Sequence, residues 1–360
     1  MSLEKNKALT IWLFVVSFLI VFMVVFGGLV RLTRSGLSIV EWNPVSGVIP
    51  PIGEQAWQAE FAKYQQTPEY QKVNAGMTLA EYKEIFLLEY FHRLIARFAG
   101  LLVAIPLLYF LFKGIIPWRR SAVYILIGIG FAFQGVLGWY MVSSGLIDRP
   151  AVSHFRLTAH LLTALGLLAL TLWMALKHAY GFPEPVPHAR QTPAFRLAIL
   201  LMIVLVLQIS YGGLVAGLKA GHASDTFPLM FGYLIPPGLL SVVQPWWKNL
   251  LETAATVHFV HRWFAFVVLL MALILYGTTR RRANSVTVHR SLLLLMALVV
   301  VQILLGISVI WFHVPIVLAL LHQFTALCLF IVALFIIYRL VHEPVPYAEQ
   351  LRLRLGPQTT

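Results

Sequence analysis

The sequence predicts an all-α integral membrane protein: eight transmembrane helices as two parallel-repeat four-helix bundles. Three observations carry that expectation. Eight apolar runs are each long enough to cross a bilayer, which takes about 20 residues. Short motifs, histidines among them, occur in the first four runs and again, in the same order, in the last four. Of the 360 residues 59% are hydrophobic and only 11% charged, with a mean hydropathy of +0.82, more apolar surface than a soluble globule can hide.

The runs fall at about 10–30, 90–112, 121–141, 152–176, 196–216, 257–277, 291–311 and 314–338. Lys5 and Lys7 ahead of the first run resemble the start of a signal peptide, but no small-residue cleavage site follows, so the run reads as a retained span. An Arg- and Ser-rich leader is not seen, and the expectation is a bacterial inner (plasma) membrane. The long loop at 31–88 is near neutral, with Arg31, Arg34, Lys63, Lys72 and Lys83 set against six glutamates. Within it, Thr67-Pro68-Glu69 places a capping hydroxyl before a proline, and Thr78 with Glu81 forms a capping box. The helix started by Thr78 is expected to continue unbroken into the second span, carrying Glu89 and His92. Trp57, Phe61 and Tyr64 make the preceding stretch amphipathic, which fits a helix on the membrane surface or over a site, or equally a packing cap with no chemistry.

Basic residues gather between alternate runs: Lys113, Arg119 and Arg120; Arg190 and Arg196; Arg280, Arg281, Arg282 and Arg290. By the positive-inside rule these loops and both termini are cytoplasmic. The net charge of +13 is thus a topological signal, and no nucleic-acid partner is expected. Even-numbered spans then run inward, which puts His92 and His261 in the first turns of their spans and His160 and His322 roughly 12 Å below the outer helix ends. Cys328 is the only cysteine, which excludes an intrachain disulfide and an iron–sulfur cluster.

The duplication is visible string by string. GGLV at 27–30 recurs at 212–215, YFHR at 90–93 answers FVHR at 259–262, QGVLG at 134–138 answers QILLG at 302–306, and HLLTALGL at 160–167 answers HQFTALCL at 322–329. Four spans per unit is an even number, so both units enter the membrane in the same direction. The expected division is 1–180, 181–341 and a cytoplasmic tail at 342–360.

An imidazole in hydrocarbon is costly without a partner, so an intramembrane histidine marks a functional site. Haem iron takes axial imidazoles from facing helices of a bundle, and the natural pairs are His92 with His160 and His261 with His322. Zinc or copper would want three or four close ligands, and each half repeats only two. The bland alternative is that each histidine hydrogen-bonds a neighbouring helix, which the fourfold repetition disfavours. His154, His178, His188, His289, His313 and His342 lack repeated context and are expected at interfaces or in solvent. Glu89, His92 and Arg93 share a helical face, either as reaction-site chemistry or as a Glu89–Arg93 ion pair. In the second half His258 stands where Glu89 stands in the first, so chemistry that needs a proton acceptor belongs to the first half. Arg93 and Arg262 are candidate propionate contacts; Arg97 has no assigned role.

These residues resemble the haem A synthase family of cytochrome oxidase assembly, in the branch of alphaproteobacterial and mitochondrial members. The resemblance runs from about Gly27 to Tyr338 and rests on GGLVRLTRSGLSIVEWNPVSGVIPP at 27–51, PEYQKVNAGMTLAEYKEIFLLEYFHR at 68–93, LGWYMVSSGL at 137–146, VAGLKAG at 215–221, DTFPLM at 225–230 and the histidine pairs. It implies oxidation of the C8 methyl of haem O to the formyl group of haem A by successive water-derived hydroxylations, with electrons leaving through haem b. It further implies that His92 and His160 flank the substrate haem, that His261 and His322 ligate the haem b cofactor, and that Glu89 is catalytic, accepting a proton or orienting water. Implied partners are haem O synthase, cytochrome c oxidase assembly factors and membrane lipid. Some branches carry a cysteine pair in the first outer loop; here that loop has none, so a mechanism needing that disulfide does not apply. Two other classes remain: a bis-histidine membrane cytochrome b exchanging electrons with quinone, and a haem carrier. Neither needs Glu89 in one half only.

Overall fold

The computed structural model describes residues 6–43, 46–146, 150–280 and 285–342. Lys5, Arg281, Arg282 and the tail beyond His342 lie outside the described residues. Eight helices among these residues are long and apolar enough to cross a membrane: α1 (Lys7–Leu32), α4 (Leu79–Phe112), α5 (Ala122–Ser143), α6 (His154–Ala179), α7 (Pro193–Gly217), α9 (Ala254–Arg280), α10 (Val286–Trp311) and α11 (Ile316–His342). Shorter helices α2 (Glu54–Gln65), α3 (Pro68–Lys72) and α8 (Asn249–Glu252) lie in the loops. The protein is therefore a multi-pass membrane protein, with each expected span present.

The capping signals act where the sequence places them. The Thr67 hydroxyl accepts from the Tyr70 amide with Pro68 opening α3, and Thr78 and Glu81 cap each other's backbone. Because that box nucleates the helix well before the apolar run, α4 is 34 residues long, about 50 Å against a hydrocarbon core of about 30 Å. Its length exceeds that core by about 20 Å. Helix α9 starts at Ala254, a few residues ahead of the expected run, so His261 lies about two turns into its helix. His322 likewise stands about two turns into α11, and the two rings face each other.

The helices group into two compact units, one built on α1–α6 and the other on α7–α11. In the first unit α1 packs along α4; the Trp12 indole donates to the Leu102 carbonyl at 2.9 Å and meets Phe110 edge-on. Helix α2 packs on the first turns of α4. Tyr64, Tyr82, Phe86 and Tyr90 form a buried cluster there with Trp57 and Phe61 around it, and the Tyr64 and Tyr82 rings stack at 5.0 Å. Each such ring contributes about 2 kcal/mol by burial. The amphipathic face of α2 is thus spent on α4. Lys63 on α2 reaches Glu41 at 2.9 Å, and its hydrogen bond holds the Glu41 carboxyl below its usual range.

His178, expected at an interface or in solvent, is fully buried. Its Nε2 lies 2.7 Å from the Tyr124 hydroxyl: the ends of α5 and α6 bring two polar groups into apolar surroundings, where each satisfies the other. His188, His289 and His313 are exposed, as expected. In the second unit α10 packs on α9 and α11. The segment ahead of α9 is tied by fully buried Asn249. The Asn249 amide donates to the carbonyls of Leu240, Val243 and Trp246, while its Oδ1 accepts from the Val243 amide and the Thr253 hydroxyl.

Candidate functional site

Within the second unit the His261 and His322 rings lie with centroids 6.3 Å apart and planes at 79°. Two metal–imidazole bonds of about 2 Å each, plus about 1 Å from nitrogen to ring centre on either side, span about 6 Å. The separation suits one iron between two imidazoles. Within the first unit His92 and His160 are near enough to interact electrostatically, and His92 rests against Phe26 of α1 at 5.7 Å. No group of three or more His, Cys, Asp or Glu able to hold a metal occurs among the described residues. A bare zinc or copper ion finds too few ligands, whereas a macrocycle supplying its own equatorial nitrogens needs only the two.

Each of the four rings lies against a glycine of another long helix. A side-chain carbon added at Gly27 would stand 3.2 Å from His92, at Gly138 3.6 Å from His160, at Gly212 3.4 Å from His261 and at Gly306 3.1 Å from His322. Four residues before three of these glycines stands a glutamine. Gln134 donates to the His160 carbonyl at 3.2 Å, Gln208 donates to the His261 carbonyl at 2.9 Å, and Gln302 Nε2 lies 3.3 Å from His322 Nε2. The fourth position is Met23. In the sequence QGVLG and QILLG mark only the duplication; the fold makes them the wall behind the histidines. Gln208 belongs to the same Q-x-x-x-G spacing, the one signal by which it was detectable. The Nδ1 atoms of His160, His261 and His322 and the Oε1 atoms of the three glutamines are buried without a hydrogen-bond partner. Leaving such atoms unpaired costs about 1–3 kcal/mol each, which marks both pairs as built to receive a further group.

Beside each pair an arginine secures a loop segment. Glu89, 2% exposed, takes the Ser38 amide, the Ser38 hydroxyl and the Ile39 amide on Oε2 at 2.7–2.9 Å. Its Oε1 takes Arg93 Nε and Nη2 at 3.0 and 2.6 Å. Arg93 also donates to the carbonyls of Ile39 and Glu41, and Arg97 to that of Asn43 at 2.8 Å. Together with the Tyr90 hydroxyl on the Val48 carbonyl, these bonds strap residues 38–43 and Val48 along α4. Arg97 thereby gains a partner that its sequence context did not supply. In the second unit Arg262 donates to the Ser224 and Thr226 carbonyls at 3.3 and 2.7 Å, to the Leu229 carbonyl, and to His258 Nε2 at 3.2 Å. Ile39 and Ser224 stand equally far beyond their GGLV motifs, as do Glu41 and Thr226, so the arginine contacts recur residue for residue. Both guanidinium groups are largely engaged by these contacts, each keeping an Nη1 hydrogen to spare.

The model of the cytochrome oxidase assembly protein family (COX15-CtaA) matches residues 10–334. A protein named heme A synthase from Nitrosospira multiformis is 42% identical over 93% of this chain and 94% of its own. Proteins of the same name from a Wolbachia of Brugia malayi and from Brucella ovis are 40% and 41% identical over 92% and 90% of this chain, and over 96% and 89% of theirs. With the match running through both histidine pairs, both arginines and Glu89, the chain belongs to the cytochrome oxidase assembly protein family that includes these heme A synthases.

Proposed function

We propose that the protein is a haem A synthase, an oxidoreductase that converts the C8 methyl of haem O to the formyl group of haem A, with water as the source of oxygen. The observation that carries this reading is the asymmetry of two otherwise matching sites: among the described residues a buried carboxylate, Glu89, adjoins only the first histidine pair. His92 and His160 would flank the substrate haem O, and His261 and His322 would hold haem b. When bound, haem b supplies a one-electron couple through which electrons leave. A glycine of a neighbouring helix lies against each ring and Gln302 meets the His322 ring, while the straps carried by Arg93 and Arg262 would close the outer side. Contacts to propionates, if made by these arginines, use the spare Nη1 hydrogens.

Glu89 is the proton-handling group in this reading, and its surroundings state a condition. Both carboxylate oxygens already accept, so a proton arriving on either displaces a donor. The donors on Oε2 belong to Ser38 and Ile39, so proton uptake is coupled to movement of the strap. The duplicated unit reads as two parallel four-helix bundles at 1–180 and 181–341, in a bacterial inner membrane with both termini cytoplasmic; haem O synthase and oxidase assembly factors are the expected partners.

The test is extraction and chromatography of haems from the purified protein, made in cells that supply haem O. Haem b with haem A, or with a hydroxylated intermediate, is expected. Haem b alone would move the protein to the electron-transfer cytochromes. Glu89→Gln is expected to keep haem while haem A formation falls by about a hundredfold or more; unchanged product would remove Glu89 from the mechanism.

A further inference from the structure

The straps beside the two histidine pairs are alike in geometry and unlike in charge. Arg93 is matched by Glu89 at 2.6 Å, both side chains being nearly buried. Arg262 is 6% exposed, and its partners are His258 and three backbone carbonyls. An imidazole is neutral or cationic and never anionic, and carbonyl dipoles solvate a guanidinium without cancelling its charge. Asp225, between two of those carbonyls in sequence, is well exposed and sits 3.3 Å from His313, where water screens it. Among the described residues the second site therefore carries a buried cation with no buried carboxylate side chain to offset it, and the first does not. Arg262 follows His261 directly in the chain, as Arg93 follows His92, so each guanidinium is carried on the same helix as a candidate ligand and one residue from it. In an interior of low dielectric the field of such a charge is strong.

We propose that the unmatched Arg262 cation raises the reduction potential of the haem held by His261 and His322 above that of a haem held by His92 and His160, the exchange of Glu89 for His258 setting the order. An electron added beside a fixed positive charge is stabilised, and a buried ion pair supplies no such net field. Arg262 and His258 are positioning residues here: they touch neither iron nor substrate and act through the field at the ligand pair. The inference rests on the reading that each histidine pair holds a haem, and does not depend on the methyl oxidation.

The experiment is a spectroelectrochemical titration of the purified full chain with its bound haem, beside His258→Glu, Arg262→Gln and the neutral control His258→Gln. His258→Glu recreates the first-site ion pair, and Arg262→Gln removes the cation. Each is expected to lower the midpoint of the His261–His322 haem by a tenfold or greater change in the reduced-to-oxidised ratio, about 59 mV for a one-electron couple, while His258→Gln stays near wild type. Midpoints unmoved in both charge variants, with the haem spectrum intact, would overturn the proposal. So would loss of haem from both, which would leave these residues a structural role. A wild-type protein without a bis-imidazole spectrum would instead defeat the two-haem reading, an outcome visible before any variant is made.

Discussion

At the residue scale the four histidines depend on what stands behind them. The close approach at Gly306 and Gly27 leaves 3.1 and 3.2 Å for an added carbon, less than ordinary contact, so the imidazole must give way. Alanine is otherwise the better helix former by about 1 kcal/mol, which separates the two effects. Gly306→Ala and Gly27→Ala should fold as stably as the parent yet lose haem or shift its ligand-field spectrum, whereas Gly138→Ala, with 3.6 Å available, should keep both. Haem stoichiometry and low-temperature EPR on purified protein check this gradation. The histidines and Glu89 were legible in the sequence because their motifs repeat, or fail to repeat, at fixed positions. Gln208 and the facing glycines were not assigned a role, because a Q-x-x-x-G spacing acquires meaning only when another helix lies against it. His178 was misjudged for the same reason: its partner Tyr124 is on a different helix.

At the element scale, capping chemistry sets where α3 and α4 start, and buried polar side chains fix the loops. Asn249 takes part in bonds to five groups while fully buried. Asn249→Ala is therefore expected to cost about 2–3 kcal/mol and to lower the thermal midpoint in detergent, with the segment around 240–247 becoming the first site of limited proteolysis. Thr78→Ala breaks the capping box and should cost about 1 kcal/mol, fraying the exposed start of α4 but leaving the His92 region helical; hydrogen exchange at residues 79–83 would show it. The amphipathic pattern of α2 was legible as a pattern, while its use was open. Packing against α4 decided it, since Trp57 and Phe61 are covered by Phe86 and Tyr82.

At the scale of the whole molecule, two histidine pairs in two compact units should be separable. His322→Ala is expected to abolish the haem bound by the second unit and leave binding at His92 and His160, so that the haem content of protein made with haem O falls by about half. Loss of both haems together, measured by pyridine haemochrome, would show that the pairs do not bind independently.

The sequence alone determined the class of the protein, the number and rough limits of its spans, the four histidines and the singular position of Glu89, because hydropathy, helix capping and repetition are local or linear properties. It could not decide what each buried polar group meets. That Glu89 is occupied by five donors, that Arg262 lacks a carboxylate, and that glycines and glutamines back the imidazoles follow from helices and loops distant in the chain lying side by side. Only tertiary packing sets those distances, and in a low-dielectric interior it is the distances that decide charge and chemistry.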